Sequence, residues 1–155
     1  MTMTAEEQIV IYLRDGFYPA RTDHLPKKVQ DTLDEIGLVP GIKECFANCQ
    51  RFAIDVDRYQ LPLDVEYREG YVMSIIPIEH AWLIVDGETV DLTLDPDREH
   101  EHLRSYAVPV DEIRINMLKT RSYCAVRPLE LMKLSPFYDA MKQLAELNGM
   151  DIHDK

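Results

Sequence analysis

The sequence predicts an α+β fold in which N-terminal helices pack on an antiparallel sheet. Helix-like patterns come first in the chain, strand-like patterns follow, and a length of 155 residues suits one core. We therefore expect residues 1–155 to form a single domain. A hydrophobic content of 46% and a charged content of 29% are ordinary for a globular protein.

Three helices are predicted in the first part of the chain. The first covers 4–14, where Thr4 and Glu7 have the spacing of a capping box. The second covers 26–36, with proline at its start and Gly37 placed to end it in the left-handed conformation. The third covers 43–59. Its apolar positions are spaced for one helical face: Cys45, Cys49, Phe52, Ala53 and Val56.

Three strand-like segments follow, over 64–73, 78–85 and 88–94. Gly70 inside the first segment indicates a β-bulge or a close approach of another backbone. Asp86-Gly87 between the second and third segments is typical of a two-residue hairpin turn. The sequence therefore predicts an antiparallel hairpin in the middle of the chain.

The C-terminal part gives a weaker pattern. Residues 110–119 fit a helix better than a strand, and 121–127 resemble a strand. Ser135-Pro136 is placed to begin a last helix, which Asn148-Gly149 is placed to end.

Charge and composition exclude several classes of protein. The formal net charge of −11 at pH 7 repels phosphate backbones, so nucleic acid is not an expected partner. The longest apolar runs are far shorter than the ~20 residues of a membrane span. The N-terminus has early acidic residues and no apolar stretch, so we expect a cytoplasmic location. Three cysteines are too few, and odd in number, for a disulfide framework. The sequence leaves the oligomeric state open.

The predicted hairpin places a histidine beside an aspartate. If Val85 faces Glu88, His80 and Asp91 become diagonal neighbours on one face of the sheet, with roughly 5–8 Å between their β-carbons. A slip of the register by one residue would separate them. We therefore expect an imidazole–carboxylate hydrogen bond between the two side chains.

Cys45 supplies the third group that thiol catalysis needs. Such chemistry uses a thiolate nucleophile, an imidazole that accepts and returns a proton, and a carboxylate that orients the imidazole. A cysteine in the first turn of a helix is well placed, because free backbone N–H groups stabilise a thiolate and can bind an oxyanion. Cys45, His80 and Asp91 are therefore the predicted catalytic residues.

Four segments around these residues resemble the transglutaminase-like branch of the papain-like cysteine proteases. They are 45–49, which carries the cysteine, Glu69-Gly70-Tyr71, Glu79-His80-Ala81-Trp82 and 86–93, which carries the aspartate. The pattern is most similar to small bacterial and phage proteins with a Cys, Gly-Tyr, His-Ala-Trp and Asp order, and it covers about 44–96. The resemblance implies a papain-like fold with a Cys-His-Asp triad.

The chain departs from the family pattern at several positions. Leu92 stands where proline is usual, Leu94 where tryptophan is usual, and Cys49 at an alanine position. No glutamine lies at the upstream spacing that papain-type proteases use for the oxyanion hole, so the second oxyanion donor is open. Asn48, one turn after the cysteine, is a candidate for that role.

Several further side chains have predicted roles. Tyr71 and Trp82 are expected to pack beside the site, where either can contact substrate, whereas Cys49 and Cys124 are interpreted as core residues. Two weak metal patterns exist, the pair His100-Glu101-His102 in a charged loop and the carboxylates of Asp91, Asp95 and Asp97. Neither has the spacing of a known site, so no metal and no cofactor are expected.

The sequence thus predicts a cysteine-dependent enzyme that hydrolyses an amide, isopeptide or similar bond in a peptide, a protein or a small acyl compound. Transfer of the acyl group to an amine, as in a transglutaminase, or from a thioester donor uses the same triad and stays open. A different class also stays open, because a fold of this type can persist as a catalytically inactive protein-binding module.

Overall fold

The computed structural model describes Thr4 and residues 18–150, so the predicted helix over 4–14 lies outside the described residues apart from Thr4. Helices α1 (Lys27–Ile36) and α2 (Cys45–Arg58) precede the sheet. Its strands are β1 (Val65–Met73), β2 (Pro77–Val85), β3 (Glu88–Val90) and β4 (Glu101–Val108). Helices α3 (Val110–Thr120), α4 (Pro128–Lys133) and α5 (Tyr138–Leu147) follow.

The predicted α+β class is confirmed. The four strands form one antiparallel sheet in the order β3-β2-β1-β4. Helices α1, α2 and α3 lie where the periodicity placed them, and α1 ends at Gly37 in the left-handed conformation. Among the described residues, no helix combines the length and the apolar character that crossing a membrane requires.

The core lies between α2 and the sheet. Phe52 on α2, Leu83 on β2 and Ile113 on α3 are completely buried. Cys49 on α2 is also fully buried, which confirms its prediction as a core residue, and its thiol contacts the carbonyl oxygen of Ala81 at 3.6 Å. This packing fixes α2 against the strand that carries His80.

The β2–β3 hairpin has the predicted register. Val85 pairs with Glu88 and Leu83 pairs with Val90, around a turn at Asp86 and Gly87. Both turn residues have positive φ, 49° and 82°, as a type I′ turn requires. The third strand is shorter than predicted, however, because β3 ends at Val90.

Strand β4 was not predicted, and the assignment of its first residues to a charged loop was wrong. It pairs with β1 beside Gly70, where the register shifts. A β-carbon on Gly70 would lie 2.3 Å from the carbonyl oxygen of Arg104 and 2.6 Å from the β-carbon of Ser105. The predicted close backbone approach at Gly70 is therefore confirmed.

The segment 121–127 is not a strand, contrary to prediction. Its backbone is bound by side chains: the N–H groups of Val126 and Arg127 donate to Glu69, and Gln50 donates to the carbonyl oxygen of Cys124. Cys124 is only half-buried, so its prediction as a core residue was wrong. Helix α4, which directly follows this segment, was not predicted.

Candidate active site

Cys45 is the first residue of α2 and is half-buried. Within the described residues, no side chain caps this helix, and no acceptor takes the backbone N–H of Cys45. The preceding loop is held by Asn48, whose side chain accepts from Gly41 N at 3.1 Å and donates to Gly41 O at 2.8 Å. Among the described residues, this N–H group is therefore without an acceptor, and Asn48 holds the loop that leads into the helix.

Asp91 follows β3 directly and is held by two different kinds of contact. Its Oδ1 accepts hydrogen bonds from the backbone N–H groups of Thr93 and Leu94, each at 3.0 Å. Its Oδ2 lies 2.7 Å from Nε2 of His80. The predicted contact between His80 and Asp91 is therefore present, although Asp91 lies in the turn after the strand and not in the ladder.

His80 is a neighbour of both the carboxylate and the thiol. Its side chain is 3% exposed, and its Nε2 contacts Oδ2 of Asp91 at 2.7 Å. Because Nε2 faces Asp91, Nδ1 is the ring nitrogen that remains for the thiol. Burial alone lowers the pKa of His80, but its interactions with Asp91 and Cys45 outweigh burial and raise the pKa to about 9.

His102 on β4 is a fourth member of the cluster, which the sequence analysis did not find. Its Nε2 lies 2.8 Å from the same Oδ2 of Asp91 that contacts His80. Burial alone would raise the pKa of Asp91, but the hydrogen bonds from His102 and His80 hold it far below its usual range. The signal that could have found His102 is β4 itself, which begins at Glu101, one residue before this histidine.

The indole of Trp82 packs among these imidazoles. Its ring centroid lies 4.6 Å from that of His102 and 6.1 Å from that of His80, with which it is stacked. Trp82 is 3% exposed. It therefore supports the ring orientation of both histidines.

A cavity of about 490 Å³ opens beside the thiol and the imidazole. It is lined by Cys45 and His80, by apolar side chains and by charged groups of both signs, among them Ile42, Ile78, Lys43 and Arg98. A larger cleft of about 630 Å³, between α2, β1 and α3, contains none of the predicted catalytic residues. The smaller cavity is therefore the candidate substrate site.

None of the three residues predicted to contact the substrate or its oxyanion, Asn48, Tyr71 and Trp82, lines this cavity. Both N–H groups of the Asn48 amide are engaged, with Gly41 O and with Thr93 Oγ1 at 2.9 Å. The Tyr71 hydroxyl contacts Glu79 and Ser135, and burial raises the pKa of Tyr71. Substrate contacts by Asn48, Tyr71 or Trp82 therefore remain predictions.

Each of the two weak metal patterns contributes one member to a cluster, His102 from the first and Asp91 from the second. His102 joins His80 and Asp91, and the donor atoms of these three residues lie within 4.8 Å of one another. His100 instead contacts the carbonyl oxygen of Arg98. Asp97 is bound by Arg21 at 2.6 Å. Within the described part of the chain, His80, Asp91 and His102 are the one group that brings three metal-ligating side chains together.

Comparisons with known proteins add no family to this geometry. The chain matches no protein-family model, no curated protein and no solved structure. The chemistry of the site must therefore be argued from its own residues.

Proposed function

We propose that the protein is a cysteine-dependent acyl-transfer enzyme that hydrolyses an amide, isopeptide or similar bond. The observation that carries this proposal is the single cavity lined by both Cys45 and His80, with Nε2 of His80 held at 2.7 Å from Oδ2 of Asp91. The order of these residues and their resemblance to transglutaminase-like cysteine proteases support the same conclusion. We also propose that the fold is of the papain-like, transglutaminase-like type.

In the first step, the thiol proton of Cys45 moves to Nδ1 of His80 and the sulfur attacks the substrate carbonyl carbon. The carbonyl π electrons move to its oxygen, which accepts a hydrogen bond from the free backbone N–H of Cys45. The tetrahedral intermediate then expels the amine, which takes the proton from His80. Asp91 stabilises the transient imidazolium and fixes the orientation of the ring.

In the second step, His80 removes a proton from water, and the resulting oxygen nucleophile attacks the thioester carbon. The carbon–sulfur bond breaks, the acid leaves, and the sulfur recovers its proton from His80. An amine in place of water gives transfer instead of hydrolysis. The product of the reaction, acid or new amide, distinguishes these two outcomes.

The protein contains its own controls for a test of thiol activation. Iodoacetamide labelling of the folded chain, with each modified cysteine located by mass spectrometry, compares Cys45 with Cys49 and Cys124. Cys49 is fully buried, and burial raises its pKa well above the ordinary value, so it should stay unmodified. Cys124 is half-buried like Cys45, but among the residues that the structure describes its thiol contacts Asn116 and Thr120 and no histidine.

We expect selective labelling of Cys45 down to about pH 6, and a rate at least about tenfold lower in His80→Ala. Labelling of Cys124 should be the same in both proteins. If Cys45 and Cys124 react alike at all pH values, and His80→Ala changes neither, the thiol is not activated and the proposal is wrong. Covalent trapping of an acyl group from para-nitrophenyl acetate on Cys45 would extend the result to acyl transfer.

A further inference from the structure

The second face of the catalytic cluster has the composition of a transition-metal site. Nε2 of His80 and Nε2 of His102 lie 2.7 Å and 2.8 Å from Oδ2 of Asp91. All three donor atoms lie within 4.8 Å of one another. Two imidazole nitrogens and one carboxylate oxygen form a ligand set typical of Zn²⁺, with further coordination positions left for solvent.

The donors are held in place by other contacts. Asp91 is fixed through Oδ1 by two backbone N–H groups, which leaves Oδ2 facing the histidines. Trp82 packs against both imidazoles. Such outer contacts orient ligands in known metal sites and restrict their motion.

Solvent reaches this cluster without passing the thiol. A separate cavity of about 280 Å³ is lined by Asp91 and by His24, His100 and His102. With His80, four of the five histidines in the sequence lie at this cavity or at the cluster behind it. The net charge of −11 also favours the approach of a cation. We name this space the histidine cavity.

We propose that a divalent transition metal of the Zn²⁺ class binds His80, Asp91 and His102 from the histidine cavity and thereby inhibits the thiol reaction. The metal ion takes the place of any proton on Nε2 of His80 or His102. The displaced proton leaves to solvent or moves to Nδ1 of the same ring. Metal bound at Nε2 of His80 holds the remaining proton on Nδ1, because its loss would leave a metal-bound imidazolate. His80 then cannot accept a proton from water in the second step. Inhibition rests on the proposed function, whereas metal binding does not.

Calorimetric titration of Zn²⁺ into the wild-type chain and into Cys45→Ala tests the binding step alone. We expect one metal per chain in both proteins, because Cys45 is not a ligand. His102→Ala and His102→Gln should each lower the affinity at least about 100-fold, since loss of an outer-shell partner alone costs up to that much. The glutamine variant keeps a donor toward Asp91 and so guards against a general loss of structure.

His100→Ala is the matched control. His100 lies in the same cavity and its ring meets that of His102 edge-on at 5.4 Å, but its Nδ1 contacts Arg98 O. Its removal should change the affinity less than about tenfold. Absence of one-to-one binding, or equal losses in the His100 and His102 variants, would overturn the proposed site. A Co²⁺ complex with sulfur-to-metal charge-transfer absorption that Cys45→Ala abolishes would also overturn it.

The inhibitory effect has a separate readout. Hydrolysis of the acetyl group that para-nitrophenyl acetate leaves on Cys45 should slow when Zn²⁺ saturates the site and recover when a chelator is added. If the apoprotein labels selectively at Cys45 and saturating Zn²⁺ leaves the rate of this hydrolysis unchanged, inhibition is wrong even where binding holds. If the apoprotein shows no thiol activation, the proposed function fails, and the titration of Cys45→Ala still decides the metal site.

Discussion

The two oxygens of Asp91 have separate structural and chemical roles. Oδ1 holds the turn after β3 through the N–H groups of Thr93 and Leu94, and Oδ2 faces His80 and His102. Hairpin geometry was sufficient to predict the contact with His80. It was insufficient for His102, because that residue lies on β4, which pairs with β1 outside the hairpin and was not predicted.

Asp91→Asn should preserve the turn and abolish catalysis. The asparagine oxygen can replace Oδ1 toward Thr93 and Leu94, which directs the amide N–H at Nε2 of His80. Nε2 must then accept this hydrogen bond, so the ring proton of His80 lies on Nδ1. Nδ1 therefore has no lone pair with which to accept the thiol proton. We expect a fall of about 10³–10⁴-fold in the rate of acylation by para-nitrophenyl acetate.

The control for this substitution is Asp97→Asn, at an exposed carboxylate bound by Arg21. Its acylation rate should equal that of the wild-type protein, and circular dichroism should show the same helix content in all three proteins. Unchanged acylation in Asp91→Asn would mean that the carboxylate has no part in proton transfer.

The elements that were predicted correctly are those determined by local chemistry. The β2–β3 hairpin follows from a two-residue turn at Asp86 and Gly87, and α1 ends where Gly37 permits a left-handed residue. Strand β4 and the segment 121–127 depend on distant partners. β4 can approach β1 only because Gly70 has no side chain. The backbone of 121–127 is held by hydrogen bonds with the side chains of Glu69 and Gln50.

Gly70→Ala should separate β1 from β4. The new β-carbon would meet the carbonyl oxygen of Arg104 at 2.3 Å and the α-carbon of Ser105 at 2.8 Å, and these are backbone atoms. These contacts can be relieved only if β4, the strand that carries His102, moves away from β1. We expect a loss of about 1–3 kcal/mol in the free energy of unfolding, measured with urea.

A second variant identifies the source of that loss. Adding Ser105→Gly removes the side-chain contact at 2.6 Å but leaves both backbone contacts, so the double variant should recover only part of the stability. Full recovery would place the conflict in the Ser105 side chain alone. A stable Gly70→Ala protein would contradict the close approach itself.

Glu69 binds the C-terminal part of the chain to the sheet. It is completely buried, and its two oxygens accept from the hydroxyls of Tyr67 and Tyr106 and from the N–H groups of Val126 and Arg127. Four donors converge on one carboxylate. This arrangement explains why 121–127, despite its strand-like composition, adds no strand.

Glu69→Gln should weaken this attachment. A glutamine amide replaces one acceptor oxygen by an N–H₂ group, which opposes at least one of the converging donors. We expect a loss of about 2–3 kcal/mol in unfolding free energy and faster hydrogen exchange at Val126 and Arg127. Glu66→Gln, at a half-exposed carboxylate paired with Arg68, is the control and should leave both quantities nearly unchanged.

Across the whole molecule, the sequence predicts those site residues that lie on elements adjacent in the chain. Cys45, His80 and Asp91 lie on α2, on β2 and directly after β3, and the sequence predicts all three as members of one site. His102 and the histidine cavity depend on the packing of β4, as does the way in which one carboxylate serves two imidazoles. Long-range pairing of this kind leaves little trace in local periodicity.

The coupled charges also determine how the stability of the whole protein depends on pH. The pKa of His80 is raised from 6.5 to about 9 on folding, so its stabilising contribution is complete below about pH 6.5 and is lost as the pH rises through about 9. The shift corresponds to about 3 kcal/mol. The pKa of Asp91 moves the opposite way, so its contribution is present above the unfolded value of 3.8 and declines in acid.

We therefore expect the unfolding free energy to be greatest between about pH 4 and pH 6.5 and to fall toward about pH 9.5. Urea denaturation should be measured across this range with a chelator present, so that bound metal does not hold the histidine in its neutral form. His80→Gln removes the titrating group, and its stability should change less over the alkaline interval. Parallel curves for the two proteins above about pH 6.5 would mean that folding leaves the proton affinity of His80 unchanged. In that case the contacts with Asp91 and Cys45 would not hold an imidazolium in the folded protein.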